Sequence, residues 1–142
     1  MKLYICSIEG LADAASFDAA SLKIDSYRKE NLSRIKSEKD RLRSMCAGLL
    51  LNFAVEAYRS EGELAHVANE FVLQELSVKE LLDAEKQEYE YRQEENGKPY
   101  LENIDNFHFS LSHSGDYVLC AWARSEIGVD LQYMDREVKD AL

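Results

Sequence analysis

The chain has 142 residues and a formal net charge of −10 at pH 7, and a chain of this length forms one ordinary domain with its own core. The negative charge argues against general binding of nucleic acid or of an anionic membrane surface, since both need a cationic surface. No secretory leader is recognisable, and no stretch reaches the roughly 18 apolar residues of a membrane span, so the sequence predicts a soluble, unexported protein.

The first predicted element is a strand over residues 2–8, apolar on both faces and therefore central in a sheet. A helix is predicted over residues 18–35, and a longer helix over residues 38–59 with Ser37 as its N-cap. Apolar residues of the second helix recur at the helical period and form a core-facing stripe, namely Leu42, Met45, Cys46, Leu49, Leu50, Phe53 and Ala57.

Positive charge is concentrated where these two helices meet. Residues 28–43, here called the basic segment, hold seven Lys and Arg against three acids, whereas residues 60–105 hold thirteen acids against four bases. Two interpretations of the basic segment remain open: a solvated helix face and a phosphate-binding site.

A weaker helical pattern covers residues 64–84 and ends near Asp83. Beyond it the apolar period changes to that of strands. Strand-like residues 89–92 and 99–101 flank Asn96-Gly97, a pair that tolerates positive φ and predicts a hairpin or tight turn.

Three further strands are predicted, with turns at residues 114–116 and 125–126. They cover residues 107–111, 117–124 and 127–132. Helices followed by several short strands predict an α+β fold, with an antiparallel-rich sheet packed against the helices.

The three cysteines, Cys6, Cys46 and Cys120, are widely separated, odd in number and set among apolar neighbours. This pattern indicates neither a disulfide framework nor a metal-binding spacing. We expect reduced thiols and a cytoplasmic protein.

The last predicted strand carries two oxygen donors on one face. Asp130 and Gln132 are two strand rises apart, about 6–7 Å, and Gly128 on the same face leaves room for a ligand. Magnesium takes a few hard oxygen ligands and leaves its other positions to water and phosphate, so this pair is a candidate metal site. The alternative is the polar face of an amphipathic strand.

Ser112 and His113 at first suggest hydrolase chemistry. Neighbours in a strand point to opposite faces, so the two side chains cannot form a nucleophile–base pair directly. A turn-capping role is the other interpretation.

Three ordered segments resemble the first two signature motifs of the phosphopantetheinyl transferases of the surfactin-synthetase-activating type, within the holo-acyl-carrier-protein synthase superfamily. The segments are Asn96-Gly97-Lys98-Pro99, Phe109-Ser110-Leu111-Ser112-His113-Ser114 and Ile127-Gly128-Val129-Asp130-Leu131-Gln132. The start of the second helix at residues 39–43 and the first strand at residues 2–4 also resemble the family, so the resemblance extends over nearly the whole chain.

The resemblance implies a magnesium-dependent transferase that moves the phosphopantetheine group of coenzyme A to a serine of an acyl or peptidyl carrier protein. It implies roles for particular residues of this chain: Asp130, with Gln132, as metal ligands, Ser112 and His113 on the phosphates of coenzyme A, Lys98 and Pro99 beside its adenine, and Arg28 and Arg43 on its 3'-phosphate. Arginines suit this last role because a guanidinium binds phosphate through paired hydrogen bonds.

Two departures from the family pattern limit these expectations. The family commonly has Glu where this chain has Gln132, and its third motif, Trp-x-x-Lys-Glu, which supplies a metal-binding carboxylate and the catalytic lysine, is absent. Catalytic residues therefore remain unassigned. We expect residues 1–142 to form a single N-terminal transferase half-domain plus the start of the following helix, with the second half absent. A partner or a homodimer could then complete the site. The alternative function is a non-catalytic remnant that binds coenzyme A or another protein.

Overall fold

A four-stranded sheet packed against helices forms the described part of the chain, which is residues 1–61, 72–95 and 97–125 of a computed structural model. In spatial order, the strands are β2 (Val72–Glu75), β1 (Lys2–Ser7), β6 (Tyr117–Ala123) and β5 (His108–Ser114). Strand β1 pairs with β2 in parallel, whereas the β1–β6 and β6–β5 pairs are antiparallel. The predicted α+β class with an antiparallel-rich sheet is confirmed.

Strand β1 is central, as its two apolar faces predict. Tyr4 and Cys6 lie in the main core with the helices, whereas Leu3 and Ile5 lie in a second cluster with buried residues of β6. All four side chains are at most 3% exposed. A strand buried on both faces reads as a nearly continuous apolar run, which is the signal that the sequence carries.

Four helices are described: α1 (Ala14–Ser21), α2 (Ser26–Leu32), α3 (Glu38–Glu61) and α4 (Val78–Leu82). A short 3-10 helix, Ile8–Leu11, follows β1. The predicted N-cap of α3 is confirmed, because the hydroxyl of Ser37 accepts a hydrogen bond from the backbone N–H of Asp40 at 3.3 Å. None of these four helices is long and apolar enough to cross a membrane.

The prediction of one helix over residues 18–35 is wrong. Helix α1 ends at Ser21, and α2 starts after Asp25, whose backbone is extended (φ −66°, ψ 156°). The carboxylate of Asp25 accepts the N–H of Arg28 at 3.1 Å, and the carbonyl of Lys23 accepts the side-chain amide of Asn52 at 2.6 Å. Capping and a tertiary hydrogen bond together outweigh the helical pattern here.

The prediction of a helix over residues 64–84 is wrong at Val72–Glu75, which form strand β2. Lys2 is the register partner of Val72, and Ile5 is that of Glu75, so tertiary pairing decides the state of these four residues. Only α4 is helical, and a capping box between Ser77 and Glu80 starts it. The remainder of the pattern, residues 64–71, lies outside the described residues.

The predicted hairpin is confirmed by two paired strands, β3 (Tyr91–Gln93) and β4 (Pro99–Leu101). Gly97 has a φ of 86°, and the N–H of Glu94 donates to the carbonyl of Lys98 at 2.8 Å. The β5–β6 turn contains Gly115 with a φ of 59°, which again favours glycine. The predicted strand at residues 127–132 lies outside the described residues.

The three cysteine thiols are free and buried. Burial raises the pKa of Cys120 to about 12, and a hydrogen bond with Cys6 together with burial raises the pKa of Cys46. A thiol reacts as the thiolate and only where a reagent can reach it.

We therefore expect a chromogenic disulfide reagent to label none of the three cysteines in the folded protein and all three in denaturant. A Cys46→Ala variant should release one equivalent fewer after unfolding. Rapid labelling of the folded protein at neutral pH would contradict this burial.

Candidate functional site

A cavity of about 340 Å3 lies where α2, the first three turns of α3 and the β5–β6 hairpin meet. Its lining includes the four residues for which the family resemblance implies contacts with the phosphates of coenzyme A. Its lining comprises Arg28, Asp40, Arg43, Ser44, Ala47, Leu111, Ser112, His113 and Val118. The basic segment thus contributes two arginines to one concave site.

Arg43 joins the start of α3 to the β5–β6 turn. Its Nε and Nη2 donate to the carbonyl of Gly115 at 3.2 and 2.8 Å, and its Nη1 donates to Asp40 at 3.2 Å. Lys39 also forms an ion pair with Asp116 across this junction at 3.1 Å. These contacts hold the guanidinium of Arg43 beside the cavity.

Arg28 reaches the cavity from α2, and its side chain is 16% exposed. Its Nη1 donates to the backbone carbonyl and the hydroxyl of Ser44 at 3.3 and 3.4 Å. Its Nε lies 3.9 Å from a carboxylate oxygen of Asp25 and is buried without a hydrogen-bond partner in the described part of the chain. The Arg28 guanidinium is therefore restrained from two sides.

Ser112 and His113 are adjacent in β5, so their side chains take opposite faces of the sheet. His113 is the register partner of Val118, which belongs to the main core, and Ser112 is the partner of Leu119, which belongs to the second cluster. His113 is exposed and Ser112 half-buried. The alternation supports the inference that they form no direct nucleophile–base pair.

A larger groove of about 930 Å3 adjoins the cavity and shares Arg28, Ser44 and Leu111 with it. One wall is the β3–β4 hairpin and another is α2. Pro99 lines this groove. Lys98 stands at the end of the hairpin, where its side chain is half-buried and outside the groove lining.

Three tyrosines form the aromatic part of this groove. The rings of Tyr27 and Tyr91 are 5.1 Å apart between centroids, and those of Tyr89 and Tyr91 are 5.8 Å apart. Burial is the main cause that raises the pKa of both Tyr89 and Tyr91, so their hydroxyls stay protonated as hydrogen-bond donors. Tyr27 is 59% exposed and free to contact a ligand.

The predicted metal ligands Asp130 and Gln132 lie outside the described residues. In residues 1–61, 72–95 and 97–125, no group of three or more His, Cys, Asp or Glu side chains could hold a metal ion. A carboxylate and an amide oxygen remain donors of the type that magnesium prefers.

Two residues near the site escape the sequence analysis. Asp25 begins α2 three residues before Arg28, and Gly48 lies on α3 against the side chain of Arg28. Asp25 could have been found as an N-cap if residues 18–35 were divided into two helices. Nothing in the local sequence marks Gly48, because its role depends on packing between α2 and α3.

Chemically, the cavity is suited to an anion with several oxygens. Two guanidinium groups and an imidazole supply hydrogen-bond donors, and Asp40 is the single acid in the lining. The carboxylate of Asp25, outside the lining, partly offsets the charge of Arg28. The side chain of Asp40 is 57% exposed, so its pairing with Arg43 is weak and can be exchanged for a ligand.

Residues 64–125 match the family of 4'-phosphopantetheinyl transferase N-terminal domains. A 4'-phosphopantetheinyl transferase of Bacillus pumilus is 45% identical over 42 residues, which are 30% of this chain and 18% of the relative. The 4'-phosphopantetheinyl transferase Sfp of Bacillus subtilis (strain 168) is 35% identical over 48 residues, 34% of this chain and 21% of the relative. Another from Bacillus subtilis, ffp, is 35% identical over 57 residues, 40% of this chain and 25% of the relative.

The matched family segment contains the hairpin, β5 and β6, and hence Lys98, Pro99, Ser112 and His113. Arg28 and Arg43 lie outside it and reach the same site only through the fold. Through residues 64–125, therefore, this chain is similar to the 4'-phosphopantetheinyl transferases, as its motifs predict, and it spans about a fifth to a quarter of the length of these relatives in the matches.

Proposed function

We propose that the cavity binds the 3'-phosphate of coenzyme A. The chain would then act in transfer of the phosphopantetheine group of coenzyme A to a serine of an acyl or peptidyl carrier protein. The observation that carries this proposal is the convergence of Arg28, Arg43 and His113, from three separate elements, on one cavity. The family match over residues 64–125 agrees with it.

The charge distribution supports a phosphate ligand. The chain carries a net charge of −10, so a polyanion would be repelled from most of its surface. The basic segment reverses the sign locally, and arginines bind phosphate through paired, charge-assisted hydrogen bonds. This favours the phosphate-site interpretation of the basic segment over a solvated helix face.

The adjoining groove fits the nucleoside part of the same ligand. Its volume of about 930 Å3 lies within the usual range of ligand pockets, roughly 300–1,000 Å3. Arg28 borders both spaces, so a phosphate on Arg28 would leave the base between α2 and the β3–β4 hairpin, beside Tyr27 and Pro99.

Magnesium is proposed on Asp130 and Gln132. When bound, the ion would offset the negative charge that develops on the pyrophosphate during transfer. Phosphoryl transfer depends chiefly on positioning and electrostatic stabilisation, and the described residues of this chain would position the ligand. We propose further that residues 1–142 act as one half-domain, with a partner or a second copy completing the cleft.

The test compares coenzyme A with dephospho-coenzyme A, which lacks only the 3'-phosphate. Isothermal titration should show that dephospho-coenzyme A binds at least about tenfold more weakly, because it loses charge-assisted contacts worth about 1.5–3 kcal/mol. Adenosine 3',5'-bisphosphate should compete with coenzyme A. Equal binding of the two coenzymes, or no binding of either at millimolar concentration, would count against the proposal.

Two further experiments test metal binding and turnover separately. Magnesium should tighten coenzyme A binding in the wild type and not in Asp130→Ala. Mass spectrometry of an apo carrier protein after incubation with the chain and coenzyme A reports transfer directly. An unmodified carrier with intact coenzyme A binding would favour the non-catalytic binding protein.

A further inference from the structure

We propose that Asp25 and Gly48 are positioning residues, which hold the guanidinium of Arg28 at the cavity before a ligand arrives. This inference deepens the proposed function, since it names what organises that phosphate site. Neither residue belongs to the motifs that identify the family. Each acts on Arg28 through a different contact.

Asp25 restrains Arg28 through a buried carboxylate. Its side chain is 1% exposed, so its charge is removed from water and must be met by nearby partners. One oxygen accepts the N–H of Arg28 at 3.1 Å, and the other lies 3.9 Å from the Nε of Arg28. The residue that caps α2 therefore also sets the direction of the Arg28 side chain.

The same carboxylate connects Arg28 with the hairpin. The hydroxyl of Tyr91 donates to Asp25 at 3.0 Å, and Tyr91 lines the larger groove. Asp25 thus contacts both the arginine of the cavity and a wall of the groove. A change at Asp25 reaches both parts of the proposed ligand site.

Gly48 restrains Arg28 by the absence of a side chain. A Cβ atom at this position would lie 2.6 Å from Cδ of Arg28, 3.1 Å from its Nε and 2.9 Å from Cγ2 of Ile24. These distances are shorter than van der Waals contact, so the side chains of Arg28 and Ile24 must both shift if residue 48 gains a methyl group. Glycine in a helix interior lowers helix stability, and here it permits the close approach.

Holding Arg28 in place reduces the cost of binding. A free arginine side chain loses rotational freedom when it grips a phosphate, whereas a restrained one has lost that freedom on folding. The expected consequence is a tighter complex with no additional ligand contact.

Gly48→Ala tests the inference without changing any charge. We expect isothermal titration with adenosine 3',5'-bisphosphate to show affinity lowered about tenfold, the upper range for restraining one such side chain. In an Arg28→Ala background the same substitution should have almost no effect on affinity, because the obstructed side chain is gone. A merely structural role for Gly48 would instead lower affinity equally in both backgrounds, and that result would overturn the inference.

Asp25→Glu provides the second variant. It retains the negative charge but displaces the carboxylate by one methylene, so loss of affinity would reflect geometry and not charge. We expect about a fivefold to tenfold loss, which should be smaller in the Arg28→Ala background, where only the part that acts through Tyr91 remains. Thermal melts of every variant identify any that fail to fold.

A ligand-independent measurement keeps the inference separate from the proposed function. In the wild type, NMR should show a slowly exchanging Nε–H for Arg28, in contrast to that of exposed Arg34. In Gly48→Ala and Asp25→Glu, exchange at Arg28 should accelerate. Failure of the wild type to bind the bisphosphate would overturn the proposed function alone, whereas equally fast exchange at Arg28 and Arg34 in the wild type would overturn the positioning.

Discussion

Arg28→Ala is expected to weaken binding of adenosine 3',5'-bisphosphate by about 10- to 100-fold. A hydrogen bond to a charged group contributes about 1.5–3 kcal/mol, and 1.4 kcal/mol corresponds to a tenfold change in affinity. Isothermal titration at fixed ionic strength measures the effect. Arg28→Lys should fall between wild type and alanine, because it retains the charge but loses the planar fork that suits phosphate.

Arg34→Ala is the matched control for this prediction. Arg34 also belongs to the basic segment, but it lies two residues beyond the end of α2, and its side chain is 71% exposed and forms an ion pair with Glu30. The substitution Arg34→Ala therefore removes the same charge from the basic segment without altering the lining of the cavity. Equal losses in Arg28→Ala and Arg34→Ala would indicate a general field effect, and an Arg28→Ala variant that folds and binds normally would contradict the site.

Asn52→Ala is expected to lower the free energy of unfolding by about 2 to 5 kcal/mol. Asn52 lies on α3, is 1% exposed, and donates to the carbonyl of Lys23 at 2.6 Å. Its side-chain oxygen accepts the hydroxyl of Tyr89, also at 2.6 Å. The substitution leaves the buried hydroxyl of Tyr89 and the partly buried carbonyl of Lys23 without this partner, at about 1–3 kcal/mol each, in a protein whose total stability is about 5–15 kcal/mol.

Urea unfolding followed by circular dichroism measures this change. Tyr89→Phe is the partial variant, because it removes one of the two hydrogen bonds and leaves the Lys23 contact intact. Its cost should be smaller, and the two substitutions should be strongly non-additive. A loss below about 0.5 kcal/mol for Asn52→Ala would mean that water replaces these bonds.

Asn52 also explains why local patterns place the helix boundaries poorly. Its bond to Lys23 lies between α1 and α2, where the periodic pattern of residues 18–35 continues without a visible break. A partner 29 residues away in sequence decides where the helix is interrupted. No short window can contain that information.

The failure to predict strand β2 has the same cause. Val72–Glu75 pairs with β1, which lies some seventy positions earlier in the chain, and this pairing overrides a weak helical pattern. By contrast, strong local signals are reliable. The Ser37 cap, the turn at Gly115 and the apolar strand β1 all form as their residues predict.

The sequence by itself determined the resemblance to the family, the α+β class and which residue types are available for a phosphate, because motifs and period depend on neighbours along the chain. Only the tertiary structure decided that Arg28 and Arg43 meet His113 at one cavity, and that Asp25 and Gly48 hold Arg28 there. The physical reason is that the position of the Arg28 side chain depends on how α2 packs against α3. Burial and close approach are properties of the fold and not of a sequence segment.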